Sequence, residues 1–438
     1  MRLTPLLFSA TLRSWTIPGN LGAATTRPGV KMRVVLLHYS APPTVGGVES
    51  VLAHQAQHML RAGHAVSLVV GRGEAWDDRI PVRVLPLLDS RAAAILDAKA
   101  NLDRGVVPPS FASLVETLHH ELLGALAEAD VVVAHNVASL HLNLALTAAL
   151  HRFAGSGSKP RLILWHHDLA WTSRRYQSEL HSGWPWDLLR QPWPGVRHAV
   201  VSRPRLEELA SLMNLPRDSI LVIPAGLDEA RFLGLGTEAV SLAERLGLFG
   251  ADPLLLMPVR LIPRKNIELG LRTLAELRRE QLAAMMVVTG PPGPHDTKNE
   301  AYLAHLHQQI DDLALEGSAH LLADAFPEGL SDAAVADLYR LSDGLLLAST
   351  DEGFGIPILE AGLLRMPIFC TEIPSLRALA GDAAVYFSPD APPREVAALI
   401  AKRLGSSPLC QMRSRIRREY TWDAVYNRCI APLLEDPQ

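Results

Sequence analysis

The chain has 438 residues, of which 48% are hydrophobic and 20% charged, and its formal net charge is −4 at pH 7. This length excludes one compact core of ordinary size, so two domains are expected. The composition predicts a soluble globular protein, and no basic run is long enough to bind a nucleic acid. Three cysteines, all late in the chain, do not make a disulfide framework and favour a reducing, cytoplasmic compartment.

Residues 1–31 differ from the rest, because they contain no Asp or Glu, four basic residues, and prolines at positions 5, 18 and 28. Pro5 and Arg13 interrupt the apolar region that a signal peptide needs. The favoured interpretation is a disordered or spurious extension, with translation starting at Met32, and a transit peptide is the alternative. Polar side chains interrupt the most apolar window, 131–149, so no transmembrane helix is predicted.

The predicted strand 33–38 opens a series of alternating strands and helices. A loop ending in Gly46-Gly47 follows it, and a helix is predicted from 48 to 61. The next predicted strands are 65–70, 82–87, 131–135, 161–166, 198–202 and 220–223, with helices at 111–127 and 138–153. Repeated strand–helix units predict a parallel sheet with helices on both faces, and ligands bind beyond the carboxyl ends of such strands.

Two of these strand ends carry polar side chains. His135 ends one strand and His166-His167-Asp168 ends the next, so both are site candidates on topology alone. Neighbouring side chains on a strand point to opposite faces, which argues against a metal site at the His-His-Asp group.

The segment from Trp171 to Trp193 contains four of the eight tryptophans, together with Arg174 and Arg175. Aromatic faces can stack on sugar rings, and exposed aromatic side chains can settle at a membrane interface. The same residues can also simply pack a long, proline-containing loop. A ligand site, a structural loop and a membrane contact therefore all remain open from the sequence.

A second series follows Pro224-Ala225-Gly226-Leu227-Asp228, where Gly226 is expected to serve a turn near a cleft between the domains. Its predicted strands are 254–259, 284–289, 320–322, 344–348, 367–370 and 384–387. Arg260 and Lys265 follow the first of these strands. They place two cations where a departing diphosphate group needs positive charge.

The most informative stretch is Ser349 to Gly362, which contains EGFGIPILEA. An apolar strand precedes it, and Pro357 suits the first turn of a helix. The segment therefore predicts a strand, a glycine-rich turn and a helix, with Glu352 in the turn and Glu360 one turn into the helix. Free N–H groups at the helix start favour a phosphate, and the two carboxylates suit hydroxyl groups. Together these features indicate a nucleotide-sugar site.

The text EGFGIPILEA, with Glu352 and Glu360 separated by seven residues, resembles the signature of the family-4 retaining glycosyltransferases. The resemblance implies an α/β protein with the GT-B fold, two Rossmann-like parallel-sheet domains facing across a cleft. It implies an N-terminal acceptor domain at 32–230, a C-terminal donor domain at 240–405, and a tail, 406–438, that crosses back to the first domain. The P-A-G-L-D segment departs from the family's P-N-G-x-D pattern at Ala225.

The resemblance also implies roles for individual residues. Arg260 and Lys265 match the diphosphate-binding pair, Glu352 holds the transferred sugar, and His135 faces that sugar. The donor-binding residues are Gly47, Gly353, Phe354, Gly355, Ile356 and Glu360, the last of which binds the ribose. Asp168 is preferred as an acceptor contact from its position at a strand end and not from the resemblance, with a cap within its own loop as the alternative. Relatives are thought to react on one face of the sugar, with the leaving phosphate accepting the proton, and no metal or other cofactor is expected.

The implied reaction moves a sugar from a nucleoside-diphosphate sugar to an acceptor hydroxyl, with retention of configuration. Stretches such as HHDLAW, GWPWDLL and VTGPPGPH resemble bacterial enzymes that glycosylate small polar acceptors such as glycerate derivatives. A lipid or polysaccharide acceptor is the alternative, as is an epimerase, a phosphorylase or a non-catalytic sugar-nucleotide binder on the same fold. The sequence does not identify the donor base, the sugar or the acceptor.

Overall fold

Two parallel sheets form the framework of the protein. The computed structural model describes residues 32–44, 46–157, 160–291 and 298–435. Within these ranges the strands make one seven-stranded and one six-stranded sheet, and every strand pair is parallel. The predicted α/β architecture with two parallel-sheet domains is therefore confirmed, whereas the interpretation of residues 1–31 lies outside the described residues.

The first sheet has the strand order β3-β2-β1-β4-β5-β6-β7. Its strands are β1 Arg33–Ser40, β2 Ala65–Arg72, β3 Val82–Val84, β4 Val131–His135, β5 Arg161–His166, β6 Val196–Val200 and β7 Ile220–Val222. Successive side chains of β1 belong to different cores, since Val34 and Leu36 pack on one face and Val35 and Leu37 on the other. Helices must therefore cover both faces of the sheet.

These covering helices are α1 Gly47–Arg61, α2 Ala93–Leu102, α3 Phe111–Leu126, α4 Leu144–Gly155 and α5 Arg203–Met213. The sequence did not predict α2 or α5. The helix predicted from 138 begins instead at Leu144, because the Asn143 side chain caps it by accepting from the Leu146 N–H at 3.0 Å. The strand predicted to run to 87 ends at Val84, since Pro86 begins a short 3-10 turn.

The second sheet has the order β10-β9-β8-β11-β12-β13. Its strands are β8 Leu254–Met257, β9 Met285–Val288, β10 Ala319–Leu321, β11 Gly344–Leu347, β12 Ile368–Thr371 and β13 Ala384–Phe387. The helices of this half are α6 Glu229–Leu233, α7 Thr237–Leu246, α8 Ile267–Arg278, α9 Lys298–Asp312, α10 Asp332–Leu341, α11 Ile356–Leu363, α12 Pro374–Ala380 and α13 Pro393–Ser406. Because β8 and β11 are neighbours, the loops that follow them meet at one edge of the sheet.

The C-terminal tail connects the two halves. It comprises α14 Pro408–Glu419, α15 Trp422–Val425, a π-helical turn Tyr426–Ile430 and α16 Ala431–Glu435. Helix α14 stays with the second sheet, where buried Arg417 donates to Asp343 at 2.6 Å and to Glu229 at 2.9 Å. From Trp422 onward the tail packs on one face of the first sheet, in the same core as Leu36.

Two chain segments cross between the halves and are hydrogen-bonded to each other. The Leu227 N–H donates to the Tyr420 carbonyl at 2.6 Å, and the Trp422 N–H donates to the Leu227 carbonyl at 3.2 Å. A Cβ atom at Gly226 would lie 2.4 Å from the Trp422 ring. Gly226 is therefore required for the close approach of the indole ring at this crossing.

Candidate active site

The first predicted cationic loop follows β8. Lys265 ends a short 3-10 turn, Pro263–Lys265, and Asn266 adopts a left-handed conformation with φ 49° before α8 begins. This turn brings Lys265 inward, so that only 9% of the residue is exposed, whereas Arg260 stays exposed. Among the described residues Arg260 makes no ion pair, so its charge is available to a ligand.

The loop after β11 carries the signature glutamate Glu352. Helix α11 begins at Ile356, with Gly355 as its N-cap at φ 96°. The positive φ favours glycine at this position, and a Cβ atom there would also lie 2.7 Å from Leu376 Cδ2. Gly353, Phe354 and Ile356 are exposed.

Hydrogen bonds and an ion pair join these two loops. The Thr350 N–H donates to the Arg264 carbonyl at 2.9 Å, and Arg264 Nη1 donates to the Asp351 carbonyl at 2.9 Å. Lys265 Nζ forms an ion pair with Glu352 Oε2, and both side chains are largely buried. A cation and a carboxylate 87 positions apart in sequence are therefore brought together at the carboxyl edge of the second sheet.

Glu360 lies on the exposed side of α11 and does not touch this ion pair. Its carboxylate accepts a hydrogen bond from the Tyr339 hydroxyl of α10, with an oxygen–oxygen distance of 2.5 Å. Burial, and then the adjacent carboxylate, raise the pKa of the Tyr339 phenol, so the hydroxyl stays protonated. Sequence reasoning did not find Tyr339, because its position on α10 shows only helical periodicity.

On the first sheet, His135 is fully buried, although the resemblance implies that it faces the sugar. Its ring stacks against Trp165 with centroids 5.3 Å apart, and His135 Nδ1 lies 3.1 Å from His167 Nε2. Burial, and then the neighbouring histidines, lower the pKa of His135 well below its usual range, so the ring is neutral at pH 7. His167 covers the strand end, and it is the partly exposed ring of this pair.

Asn136 organises the loop above His135. It adopts φ 58°, and its side-chain oxygen accepts hydrogen bonds from the His167 N–H at 2.8 Å and the Asp168 N–H at 3.3 Å. The partly exposed Asp168 carboxylate faces Arg205 Nη2 at 3.5 Å. The sequence did not indicate this role of Asn136, although Asn tolerates a left-handed conformation better than most residues.

The rings of His166, the last residue of β5, and His167, the first residue of the loop after it, have different partners. His166 Nε2 lies 3.0 Å from His198 Nδ1, whereas His167 pairs with His135. Burial lowers the pKa of His198 to about 4, and burial followed by the His38 charge lowers that of His167 to about 4. These histidines are therefore neutral at pH 7.

Gly47 is the first residue of α1 and is exposed. A Cβ atom at Gly47 would meet no atom within 4 Å, so packing within the protein does not require glycine there. Nearby, Glu49 accepts a hydrogen bond from the Ser40 hydroxyl at 2.5 Å. The loop after β1 therefore leaves open space at the start of α1.

Most of the tryptophan-rich segment is packed inside the first domain. Trp186 and Trp193 are each 3% exposed, and Arg190 covers the ring of Trp171 at 4.2 Å. Trp184 is 51% exposed and contacts Phe111 edge to face. This arrangement favours the structural loop and leaves one exposed indole in this segment for a ligand.

One cluster has the composition of a metal site. Asp103, His141 and Glu179 bring potential ligand atoms within 4.8 Å of one another. Lys99 Nζ, however, lies 2.6 Å from Asp103 Oδ2 and 2.9 Å from Glu179 Oε2. The Lys99 ammonium group already contacts both carboxylates, so the cluster forms an ion-pair network that fastens the 174–179 turn to α2.

Two family models match the chain. The model described as Glycosyltransferase Family 4 matches residues 45–231, and the model described as Glycosyl transferases group 1 matches residues 241–420. These ranges contain every strand of the two sheets except β1, together with Arg260, Lys265, Glu352 and Glu360. The chain therefore belongs to the family-4, group 1 glycosyltransferases, which are enzymes of the GT-B class, and the predicted family and fold are confirmed.

Named relatives fall within the same class. The chain is 25% identical over 366 residues to a mannosylglucosylglycerate synthase of Petrotoga mobilis. The aligned region covers 78% of this chain and 83% of that protein. It is 31% identical over 206 residues to a D-inositol 3-phosphate glycosyltransferase of Kineococcus radiotolerans. This match covers 44% of this chain and 45% of that protein. The protein is similar to both of these glycosyltransferases.

A solved structure, Anabaena Alr3699/HepE in complex with UDP and glucose, aligns with 92% of this chain and 100% of that one at 18% identity. The TM-score is 0.33, so the family assignment does not use this structure and depends only on the two family models.

Within the described residues, no helix combines the length and the apolar character needed to cross a membrane.

Proposed function

We propose that this glycosyltransferase moves a sugar from a nucleoside-diphosphate sugar to a hydroxyl group of a small polar acceptor, with retention of anomeric configuration. The observation that best supports this proposal is the contact between Lys265 and Glu352, with the exposed Arg260 on the same loop as Lys265. Two cations and a carboxylate thus lie near the strand ends where a sugar diphosphate binds in parallel sheets.

The two cations stabilise the leaving group. As the bond from the sugar to the diphosphate breaks, negative charge grows on the departing oxygen, and fixed positive charge lowers the energy of that state. Before the donor binds, Glu352 balances the charge of Lys265. When the diphosphate forms an ion pair with Lys265, the Glu352 carboxylate becomes free to accept a hydrogen bond from a hydroxyl group of the transferred sugar. Arg260 and Lys265 supply the charge, so the reaction requires no metal.

Retention follows from a reaction on one face of the sugar. Both glutamates lie on the loop and helix after β11, so they do not flank the sugar as the two carboxylates of a glycosidase do. The bond from the anomeric carbon to the phosphate oxygen breaks while the bond to the acceptor oxygen forms. The acceptor proton passes to the departing phosphate.

A small polar acceptor is supported by the name of the Petrotoga relative, a mannosylglucosylglycerate synthase. In this chain, the partly exposed His167 and Asp168 lie at the carboxyl end of β5 in the first domain. Both side chains can form hydrogen bonds with acceptor hydroxyls. We propose a glycerate derivative as the acceptor, with a lipid or polysaccharide acceptor as the alternative.

A panel of uridine, guanosine and adenosine diphosphate sugars, combined with glycerate derivatives, inositol phosphate and short glycans, tests the proposal. Mass spectrometry should detect one glycosylated product, and NMR of its anomeric centre should show the donor configuration. Transfer with inversion would contradict the mechanism. Donor binding without transfer would indicate a non-catalytic binder, and conversion of the donor alone would indicate an epimerase.

A further inference from the structure

A tyrosine from a different helix supports the exposed carboxylate of Glu360. Tyr339 is 3% exposed, its ring lies in the apolar core of the second sheet, and its hydroxyl donates to Glu360 Oε2 at 2.5 Å. Among the described residues no other side chain donates to this carboxylate. A rigid buried ring therefore restrains a side chain that is otherwise open to solvent.

We infer that Tyr339 is a positioning residue for the donor nucleotide, because it fixes the Glu360 carboxylate in the orientation that accepts hydrogen bonds from the ribose. This inference rests on the proposed role of Glu360 in ribose binding. An ionised carboxylate offers about four lone-pair positions, so the bond from Tyr339 leaves room for two ribose hydroxyls.

The physical advantage is preorganisation. A free glutamate side chain occupies several rotamers and loses that freedom when it binds a ligand. The hydrogen bond from Tyr339 restricts the side chain before the nucleotide arrives, so less conformational entropy is lost on binding. This gain in nucleotide affinity requires the ribose hydroxyls. A general effect on folding would change the affinity whether or not the ligand has those hydroxyls.

Replacing Tyr339 with Phe removes the hydroxyl and keeps the ring that packs in the core. Isothermal titration calorimetry with UDP, GDP and ADP should show about a tenfold loss of affinity for whichever nucleotide the wild type binds, as for one lost hydrogen bond to a charged group. At saturating donor, kcat should stay at the wild-type value. The 2′,3′-dideoxy form of the same nucleotide should bind equally to wild type and Tyr339→Phe.

A double variant tests whether the two residues act together. Glu360→Gln should weaken nucleotide binding, and adding Tyr339→Phe should weaken it no further. Tyr386→Phe is the matched control, because the Tyr386 hydroxyl in the same sheet donates to the Gly381 carbonyl and not to Glu360. Its nucleotide affinity should equal that of the wild type.

Three outcomes would overturn the inference. If Tyr339→Phe binds the nucleotide as tightly as wild type while Glu360→Gln binds weakly, Glu360 has its proposed role and Tyr339 has none. If Tyr339→Phe weakens the normal and the dideoxy nucleotide equally, the hydroxyl contributes to folding and not to ribose recognition. If Glu360→Gln itself binds normally, the proposed role of Glu360 fails, and the inference fails with it.

Discussion

Lys265 and Glu352 form an ion pair with each other. Both side chains are largely buried, and removing one member of a buried pair leaves the other charge uncompensated. In the proposed mechanism, a nucleoside diphosphate brings more than one negative charge and replaces the single carboxylate at Lys265. Under that proposal, the pair keeps the cation in place until the donor displaces Glu352.

Replacement of Lys265 by Ala should lower kcat/KM by an amount equivalent to about 2–3 kcal/mol of transition-state stabilisation, because a preorganised cation is lost from the leaving group. Steady-state kinetics with an active donor and acceptor pair measures this effect. Thermal unfolding is recorded alongside, since the substitution also leaves Glu352 without its cation.

Lys402→Ala is the matched control, because Lys402 is an exposed lysine on α13 of the same domain. Its kinetics should equal those of the wild type. If Lys265→Ala retains wild-type kcat/KM, Lys265 does not bind the diphosphate.

Substitutions of the two signature glutamates, Glu352 and Glu360, should have different effects on turnover and on donor binding. Glu352→Gln should chiefly lower kcat, because a contact with the transferred sugar matters most at the transition state. Glu360→Gln should chiefly weaken donor binding, because a contact with the ribose is the same before and during the reaction. Titration with the nucleoside diphosphate, which lacks the sugar, should give reduced affinity for Glu360→Gln and wild-type affinity for Glu352→Gln. The reverse pattern would show that the two roles are exchanged.

At the scale of secondary structure elements, the loops after β4 and β5 act as one unit. The Asn136 side chain crosses from the first loop to the second and accepts two of its N–H groups. Since Asn136 is 3% exposed, its side-chain oxygen has little access to water as an alternative donor. Asn136 therefore joins the two loops and restrains the backbone of His167 and Asp168 at the edge of the sheet.

Replacement of Asn136 by Gly keeps the left-handed backbone accessible but removes the acceptor, so the free energy of unfolding should fall by about 1–2 kcal/mol. Asn136→Ala should lose about 1 kcal/mol more, because a Cβ atom is unfavourable at φ 58° in the absence of a compensating side-chain hydrogen bond. Urea unfolding at pH 7 measures both changes.

Asn214 provides the control, since it is an exposed residue at φ 51° after α5. Asn214→Gly should change the free energy of unfolding by less than about 0.5 kcal/mol. Equal effects of glycine at positions 136 and 214 would show that the hydrogen bonds of Asn136 contribute nothing.

At the scale of the whole molecule, the C-terminal tail belongs to both halves. Arg417 holds α14 to the second half through Asp343 and Glu229, and Trp422 begins the part of the tail that packs on the first sheet. Two hydrogen-bonded segments therefore connect the halves.

Strand β1 lies in the middle of the first sheet, between β2 and β4. The N-terminal half therefore needs the whole of β1 in order to form this sheet.

A variant that starts at Met32 should fold and retain full activity, because β1 begins at Arg33 and compositionally biased termini rarely contribute to stability. The comparison is a variant that starts at Tyr39, which lacks most of this central strand and should not fold. Circular dichroism, thermal unfolding and the transferase assay provide the readouts. Loss of folded, active protein in the Met32 variant would show that residues 1–31 contribute to the fold.

Local sequence patterns were sufficient to predict most of the strands and helices. Continuous apolar runs bounded by glycine and proline predicted the strands, since a strand buried on both faces must be apolar throughout. EGFGIPILEA predicted a turn and a helix, which the structure has with Gly355 as the N-cap. Several helices were missed, among them α2, α5, α7 and α10. The start of α4 was placed six residues early, because helical periodicity does not reveal the cap at Asn143.

For the site, the sequence by itself determined which residue types follow β8 and β11, namely Arg260, Lys265, Glu352 and Glu360. Only the tertiary structure decided that Lys265 pairs with Glu352, since contact between loops 87 positions apart depends on the adjacency of their strands in the sheet. The same reason applies to Tyr339 beneath Glu360. Burial of His135 was also decided by the fold, because the neighbouring β5 loop covers its ring. Side-chain chemistry is local, whereas burial and pairing are properties of the assembled sheet.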